Sequence, residues 1–499
     1  MSAVKTKKRF LFAKNLGITL SALQFIISAI FCWQLFRVNL LPDSISIGIT
    51  VILFLLCVIT LLLQFRYKSG IVGKVISVLL AIALLFGSTV LGDIANTIKR
   101  MNENAGSQIE KICVYIMADR EIPSDSEAAD FTYGILASAH GKSVDNMMNI
   151  LKDKFGKTPK TAEYKTAEDL AEALYTGKVE AIILGDSFIP VITDIATYKN
   201  FETETRILYS EEFSIAVDKS NKTLKGDTVV MYLSGIDKFG EVTSVSRSDV
   251  NIIAVANLKT KEVLLVNTPR DYYVNLKFEN GKYSATPDKL THAGLYGINV
   301  SMNTLETIYD NLKFDYYFRV NFTGFMKIID ALDGIDIYVP KNFTAWGTYM
   351  THFTKGWTHM DGKMALDFVR ERHSFADGDN QRGRDQMAVI SAIIKKASSP
   401  SVISGYADIL DSLQRYFQTD MPSEVISEIV KMQIADGGEW YVRSVSVEGS
   451  GAYEVPYSMS TKQWVMMRNN AKEEEIKELI QKVLDGESIK EETENDGNE

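Results

Sequence analysis

The chain has 499 residues, with 54 Lys and Arg against 63 Asp and Glu and a formal net charge of −9. That length exceeds one ordinary domain, and the acidic balance leaves no electrostatic footprint for nucleic acid. Its five histidines show no H-E-x-x-H spacing, and neither a G-x-S-x-G elbow nor a Walker phosphate loop occurs, so zinc-hydrolase, serine-hydrolase and nucleotide-driven chemistries fit poorly.

Residues 1–14 carry Lys5, Lys7, Lys8, Arg9 and Lys14 and no acid. Asn15 to Phe36, Ser44 to Phe65 and Val75 to Gly92 then contain no charged residue, and each can cross a hydrocarbon core, which takes roughly 20 residues. Three such runs in tandem, within residues 15–95, predict retained transmembrane helices and not a cleaved signal peptide. Arg66, Lys68 and Lys74 lie between the second and third, while the turn from Arg37 to Asp43 is neutral. The positive-inside rule therefore places the N-terminus in the cytoplasm and everything after Gly92 outside the cell membrane. Cys113 is the only cysteine of that outer part, so no intramolecular disulfide forms there.

Asn102 to Ser107 reads as a short polar linker, followed over residues 108–220 by an α/β pattern. "KICVYIM" and "VEAIILG" predict buried strands. "SVDNMMNILKDKFG" and "TAEDLAEALYTG" predict helices closed by glycine. No cluster of catalytic residue types occurs before about Val217, which suits an accessory domain for spacing or protein contact. A polar stretch, Asp218 to Asp227, separates it from a larger α/β unit over residues 226–484. The acid-rich end, residues 485–499, is expected to be disordered from Glu487.

Chemistry concentrates in the larger unit. "TVVMYLSG" ends near Asp237, and "NIIAVANL" starts after Asp249. Antiparallel pairing of these strands would face the two carboxylates across the loop mouth. Such a pair suits Mg2+, which keeps other positions for water and phosphate oxygens. Two turn-capping aspartates are the equal alternative. "EVLLVNTPRDYYV" meets Pro269, which ends a ladder, so Arg270 and Asp271 sit at a strand tip, where open α/β sheets bind ligands. "DFVRERHSFADGDNQRGRDQ" then packs four arginines and five carboxylates into twenty residues. A helix from Arg382 to Ala397, with Ile390, Ile393, Ile394 and Ala397 on its apolar face, turns Arg382 and Gln386 inward. An arginine in a first turn opposes the helix dipole, and a local rule broken at a buried edge marks a candidate site. Converging arginines suit an anion with several oxygens, which guanidinium forks match bidentately. A salt-bridge network with Asp367, Glu371, Asp377, Asp379 and Asp385 is the alternative.

These stretches, "SGID", "SRSDVNIIAVAN", "LLVNTPRDYYVNL", "KLTHAGLYG", "YYFRVNFTGFMKIIDALDGIDIYVP" and "ALDFVRER" followed by "DNQRGRDQ", resemble in order the LytR-CpsA-Psr glycopolymer transferases of bacterial cell envelopes, over roughly residues 226–397. The three spans and the accessory domain further resemble the capsule-pathway branch. The resemblance implies an α/β/α fold with a mixed central sheet and a Mg2+-dependent phosphotransferase. Its donor would be a polyprenyl pyrophosphate-linked glycan, with the lipid tail in an apolar pocket, and its acceptor a peptidoglycan sugar hydroxyl. Capsule assembly proteins are further implied partners. Carried over by position, Asp237 and Asp249 match metal ligands. Arg247, Arg270, Arg370, Arg372, Arg382 and Gln386 match the pyrophosphate-binding set, and Asp379 matches an acid near the reacting phosphate. Many members carry an arginine just before that glutamine, where this chain has Asp385, with Arg384 one position earlier. The apolar face of "FTGFMKIIDALDG" would line the lipid pocket or serve as ordinary core. A non-catalytic receptor or assembly factor for lipid-linked glycan is the competing function, since it needs the same arginines but neither metal nor base.

Overall fold

The structure, a computed structural model, describes residues 2–490 apart from Leu40, 66–69, 105–106, Ile122, His140, 217–222, Lys225, 240–241, Thr243, 400–412 and 414–415. Its contacts group into two compact units. One comprises Met1–Glu103, Ser398–Gln414 and Pro422–Glu439, the other Asn104–Ala397, Arg415–Met421 and Trp440–Glu499.

In the first unit, helices α1 (Ser2–Val38), α2 (Asp43–Leu63) and α3 (Gly70–Asn104) contain three stretches long and apolar enough to cross a membrane, Leu11–Val38, Asp43–Leu63 and Gly70–Asp93. Polar side chains tie α1 to α2 where lipid offers no partner: Thr60 donates to Gln24 at 2.9 Å, and Gln24 donates to the Cys57 sulfur at 3.5 Å. α3 runs on to Asn104 because no glycine or proline interrupts residues 93–104, so much of the stretch expected to be a linker is helix. The later helix Ser423–Asp436 belongs to this unit, and its Lys431 contacts Asn39 and lies 3.8 Å from Asp43, beside the turn between α1 and α2.

The second unit holds two sheets. Strands β1 (Ser107–Met117), β2 (Thr132–Leu136), β3 (Lys160–Tyr164), β4 (Ala181–Gly185) and β5 (Thr205–Ala216) form the first, in the order β3-β2-β4-β1-β5. Helices α4 (Lys142–Phe155) and α5 (Ala167–Tyr175) cover its opposite faces. The two-residue period of β1 sends Ile112, Val114 and Ile116 toward α4 and Cys113 and Tyr115 toward α5. The cluster under α5 also includes Leu295 and Met459, so this sheet shares its core with the larger one.

The larger sheet is mixed. It is built from β6 (Thr228–Ile236), β7 (Val250–Asn257), β8 (Glu262–Asn267), β9 (Tyr316–Asn321), β10 (Phe417–Thr419) and β11 (Tyr441–Ser446), in the order β10-β9-β6-β7-β8-β11, with β9 parallel to β6 and β11 parallel to β8. Ile253 and Val255 of β7 face a core closed by helix α6 (Ile298–Ile308), while Ile252 and Ala254 face the opposite side.

Helices α7 (Phe322–Ala331), α8 (Gly362–Arg370) and α9 (Asp379–Ala397) build that opposite side. α9 is wedged in: Met387, Ile390 and Ile394 meet the sheet, while Val389 and Ile393 meet the cluster of α7 and α8. Two-sided burial fixes where its first turn points. Gly383 in that turn approaches β8 so closely that a Cβ would lie 2.4 Å from the Asn267 side chain. Helix α10 (Asn470–Asp485) completes the core under α6. Beyond it the chain stays fixed at least as far as Ile489: Ser488 and the Ile489 N–H each donate to buried Glu262 at 2.8 Å. The acidic stretch is therefore anchored at its start, contrary to the expectation of disorder from Glu487, because a buried carboxylate needs those donors. Residues 491–499 lie outside the described residues.

Candidate functional site

Pairing of β6 with β7 is antiparallel, with Gly235 opposite Val250, and the Asp249 N–H donates to the Gly235 carbonyl at 2.9 Å. Asp237 and Asp249 thus flank the same end of the strand pair. Asp249 accepts from Arg270 at 3.0 Å and from Thr291 at 3.2 Å. Burial alone would raise its pKa, but Arg270, Arg247 and Arg382 together hold its carboxyl below the usual range. Asp237 is half exposed and lies 3.8 Å from Arg370.

Arg270 follows Pro269 just past the end of β8. Its guanidinium also lies 3.5 Å from Asp271, which Lys289 meets from the other side at 3.1 Å. Burial opposes the charged form of Arg270, yet Asp249, Asp271 and Asp379 more than restore it and raise its pKa.

α8 begins at an Asp361 cap, whose side chain accepts from the Met364 N–H, and ends at Arg370, after which Glu371 is extended. Arg370 lies over the Phe322 ring, 4.3 Å from its centroid, and donates to Thr348 at 3.0 Å. Arg372 is 4.0 Å from Asp379, and Arg382 is 2.9 Å from the same carboxylate. Gly378 adopts φ 42°, and α9 starts at Asp379, three residues before the expected start at Arg382. An acid therefore occupies the first turn, as the dipole favours, and Arg382 is neutralised by the acid one turn before it. Arg382 does face inward, as its place in the apolar stripe requires. Gln386 donates to the Val369 carbonyl at 3.4 Å, fastening α9 to the end of α8.

The structure thus gathers Arg247, Arg270, Arg372 and Arg382 around Asp249 and Asp379, with Arg370 and Asp237 alongside. Arg384 takes no part, since it binds Asp377 and Gln381 on the exposed face. Nor do most of the five carboxylates act as counterions to the gathered arginines. Asp367 and Glu371 are buried and accept backbone N–H groups of residues 346–351 and of Ser374. Asp385 accepts from Gln381 at 2.8 Å. Only Asp379 meets the gathered arginines.

Asp385 lends the fold a pH dependence. Burial pushes its carboxyl from 3.8 up to about 7. The folded chain therefore holds a proton that the unfolded chain releases above its ordinary value, and that stabilisation is lost as pH rises through about 7. From pH 5 to pH 8 the stability of Asp385→Asn relative to wild type should rise by on the order of 2 kcal/mol, read as a widening difference in melting temperature. A difference in melting that is the same at pH 5 and pH 8 would show that Asp385 ionises freely.

Sequence reasoning missed Lys289 and Thr291, although both lie within the quoted "KLTHAGLYG". It also missed Asp194, which ends the short helix Ile189–Thr193 beyond β4 and accepts from Arg247 at 2.5 Å. No local pattern marks Asp194, because its partner is 53 residues away.

Among the described residues, no group of three or more His, Cys, Asp or Glu side chains is placed to hold a metal. Any divalent cation here would depend on Asp237, Asp249 and oxygens of the ligand itself. An ionised Asp249 suits a hard cation.

The sequence profile of the LytR_cpsA_psr family matches residues 193–473. "Polyisoprenyl-teichoic acid--peptidoglycan teichoic acid transferase TagU" of Bacillus anthracis is 34% identical over 211 residues, covering 42% of this chain and 66% of that protein. The corresponding TagT of Bacillus subtilis is 36% identical over 198 residues, covering 38% of this chain and 58% of that protein. The chain thus spans slightly less than two thirds of the relatives it matches. The crystal structure of B. subtilis TagV aligns with 52% of this chain and 99% of its own at 23% identity, with a TM-score of 0.45.

Proposed function

Because the chain belongs to the LytR_cpsA_psr family, we propose that it is a membrane-anchored phosphotransferase that moves a glycan phosphate from a polyprenyl pyrophosphate carrier to peptidoglycan. The observation that carries this reading is the convergence of arginines from four segments, the ends of the β6–β7 connection, β8 and α8 and the start of α9, on Asp249 and Asp379. Pyrophosphate offers several oxygens to such forks. Arg370 over Phe322 adds a junction between charge and an apolar surface that continues through Phe325 and Met326 of α7, as an amphiphilic donor requires. The names of the relatives support the same donor and acceptor classes. The three spans and the first sheet favour the capsule-pathway branch and hence a capsular polysaccharide or related glycopolymer.

The arginines hold the pyrophosphate and offset charge that grows on the departing phosphate. Asp379 accepts the proton of the acceptor hydroxyl as its oxygen attacks the glycan-bearing phosphorus. The bond from that phosphorus to the bridging oxygen breaks, and polyprenyl monophosphate leaves. Mg2+ held by Asp237, Asp249 and phosphate oxygens would supply further charge neutralisation. Lys5, Lys7, Lys8, Arg9 and Lys14 before the first span, with Arg66, Lys68 and Lys74 between the second and third, support a cytoplasmic N-terminus.

The full chain in detergent, given a lipid-pyrophosphoryl glycan, a peptidoglycan oligomer and Mg2+, should yield a phosphodiester-linked product and polyprenyl monophosphate. Asp237→Ala should lose the Mg2+-dependent part of the rate. Donor that is bound but stays intact with every acceptor would favour the receptor reading. Release of free glycan and inorganic phosphate would mean hydrolysis and overturn the acceptor assignment.

A further inference from the structure

The segment Ser244–Asp249 carries Arg247 and Asp249, yet much of what fixes it comes from the first sheet. The Val245 N–H donates to the Ile109 carbonyl of β1 at 3.0 Å, and Ile109 forms a parallel bridge with Ser244. Asp194, at the end of the short helix Ile189–Thr193 that follows β4, binds Arg247 at 2.5 Å, and Asp186, directly after β4, lies 4.0 Å from Lys238, the neighbour of Asp237. From the larger sheet's side, Arg319 donates to the Ser244 carbonyl at 2.9 Å and the Thr291 carbonyl accepts from Ser248 at 3.1 Å. The segment is therefore shared between the two sheets.

Arg247 is only 20% exposed while Asp194 is 54% exposed. The guanidinium is embedded in the site, and the carboxylate meets it from the wetter side. Such a carboxylate occupies the position on the fork that a phosphate oxygen would otherwise take. Exposure keeps the pair weak, because side-chain entropy and solvent screening offset most of its Coulomb energy. A ligand carrying more than one negative charge can therefore displace Asp194.

We infer that Asp194 is a resident counter-anion of the phosphate site: it occupies the Arg247 guanidinium until a pyrophosphate binds and takes its place. The first sheet thereby sets the affinity of a site built mainly on the second. This rests on the pyrophosphate reading given above. It also assigns the first sheet a direct part in binding, beyond spacing.

The test is calorimetric binding of a sugar-free polyprenyl pyrophosphate to the full chain in detergent, for wild type, Asp194→Ala, Asp194→Asn, Arg247→Ala and the Asp194→Ala, Arg247→Ala double variant. Loss of the competing carboxylate should tighten binding about threefold in both single Asp194 variants. In the Arg247→Ala background the Asp194 change should have no effect, a coupling that a merely structural role would not produce. Weaker binding by Asp194→Asn, or an equal effect with and without Arg247, would overturn the inference. Failure of the wild type to bind the probe would overturn the pyrophosphate reading, and this inference with it. Wild-type binding that is unchanged in both Asp194 variants would overturn this inference alone.

Discussion

Arg372→Ala should lower transfer by at least about a hundredfold, the scale on which one charged donor at a developing oxyanion acts, while melting stays within a degree or two of wild type. Arg372 is 41% exposed and meets a protein carboxylate only at 4.0 Å, so its removal strands no close partner. Arg270→Ala should be harsher and harder to interpret. Asp249, partly buried and held ionised chiefly by Arg270, would be left without its nearest cation, so stability and activity fall together. Arg372→Lys should recover little, because an ammonium cannot span two phosphate oxygens in one plane. Turnover measured with purified donor and acceptor decides the matter. A rate within threefold of wild type for a correctly folded Arg372→Ala protein would remove Arg372 from the anion site.

Asp367→Ala should cost the fold about 3 kcal/mol or more, the largest stability loss expected from any single change near the site. Its carboxylate is fully buried and accepts from the Tyr349 N–H at 3.2 Å, from the Thr351 N–H at 3.0 Å and from the Thr351 hydroxyl at 2.8 Å. Alanine would leave those donors without a partner and open a void beside Gly347, which approaches the same side chain too closely for any Cβ. Thr348, the partner of Arg370, lies within the loosened loop. Activity should therefore fall along with melting temperature. Thermal denaturation of the full chain tests this, and an unchanged melting point would show that the loop finds water in place of the carboxylate.

These two acids show how far the sequence could be read. Asp367 and Asp379 lie twelve positions apart in one charge-rich run, and by composition alone they are equivalent candidates for a counterion. Burial separates them: Asp367 points back into α8's packing and serves backbone donors, whereas Asp379 opens α9 and meets Arg382 and Arg372. Periodicity did reveal the inward face of α9, because a 3.6-residue stripe ends on Arg382 and Gln386 whatever the tertiary context. That Asp237 and Asp249 flank one end of the strand pair was likewise readable, since antiparallel pairing of two adjacent strands fixes which ends meet. The start of α9 was not, because Gly378 and the acid-rich turn give no unique cap. Asp194 and Lys289 depend on contacts between distant segments, and a single sequence carries no signal for those.

The fastening of Ser488 and Ile489 to Glu262 has a kinetic consequence. Glu262 opens β8, whose outer neighbour is β11, and Arg443 of that neighbour donates to the Ile489 carbonyl at 3.0 Å. The larger sheet is thus closed by residues made more than two hundred positions after its first strands. Pairings of that separation form slowly. While synthesis continues, β8 has an open edge on which any extended peptide can pair, until β11 has been made and covers it.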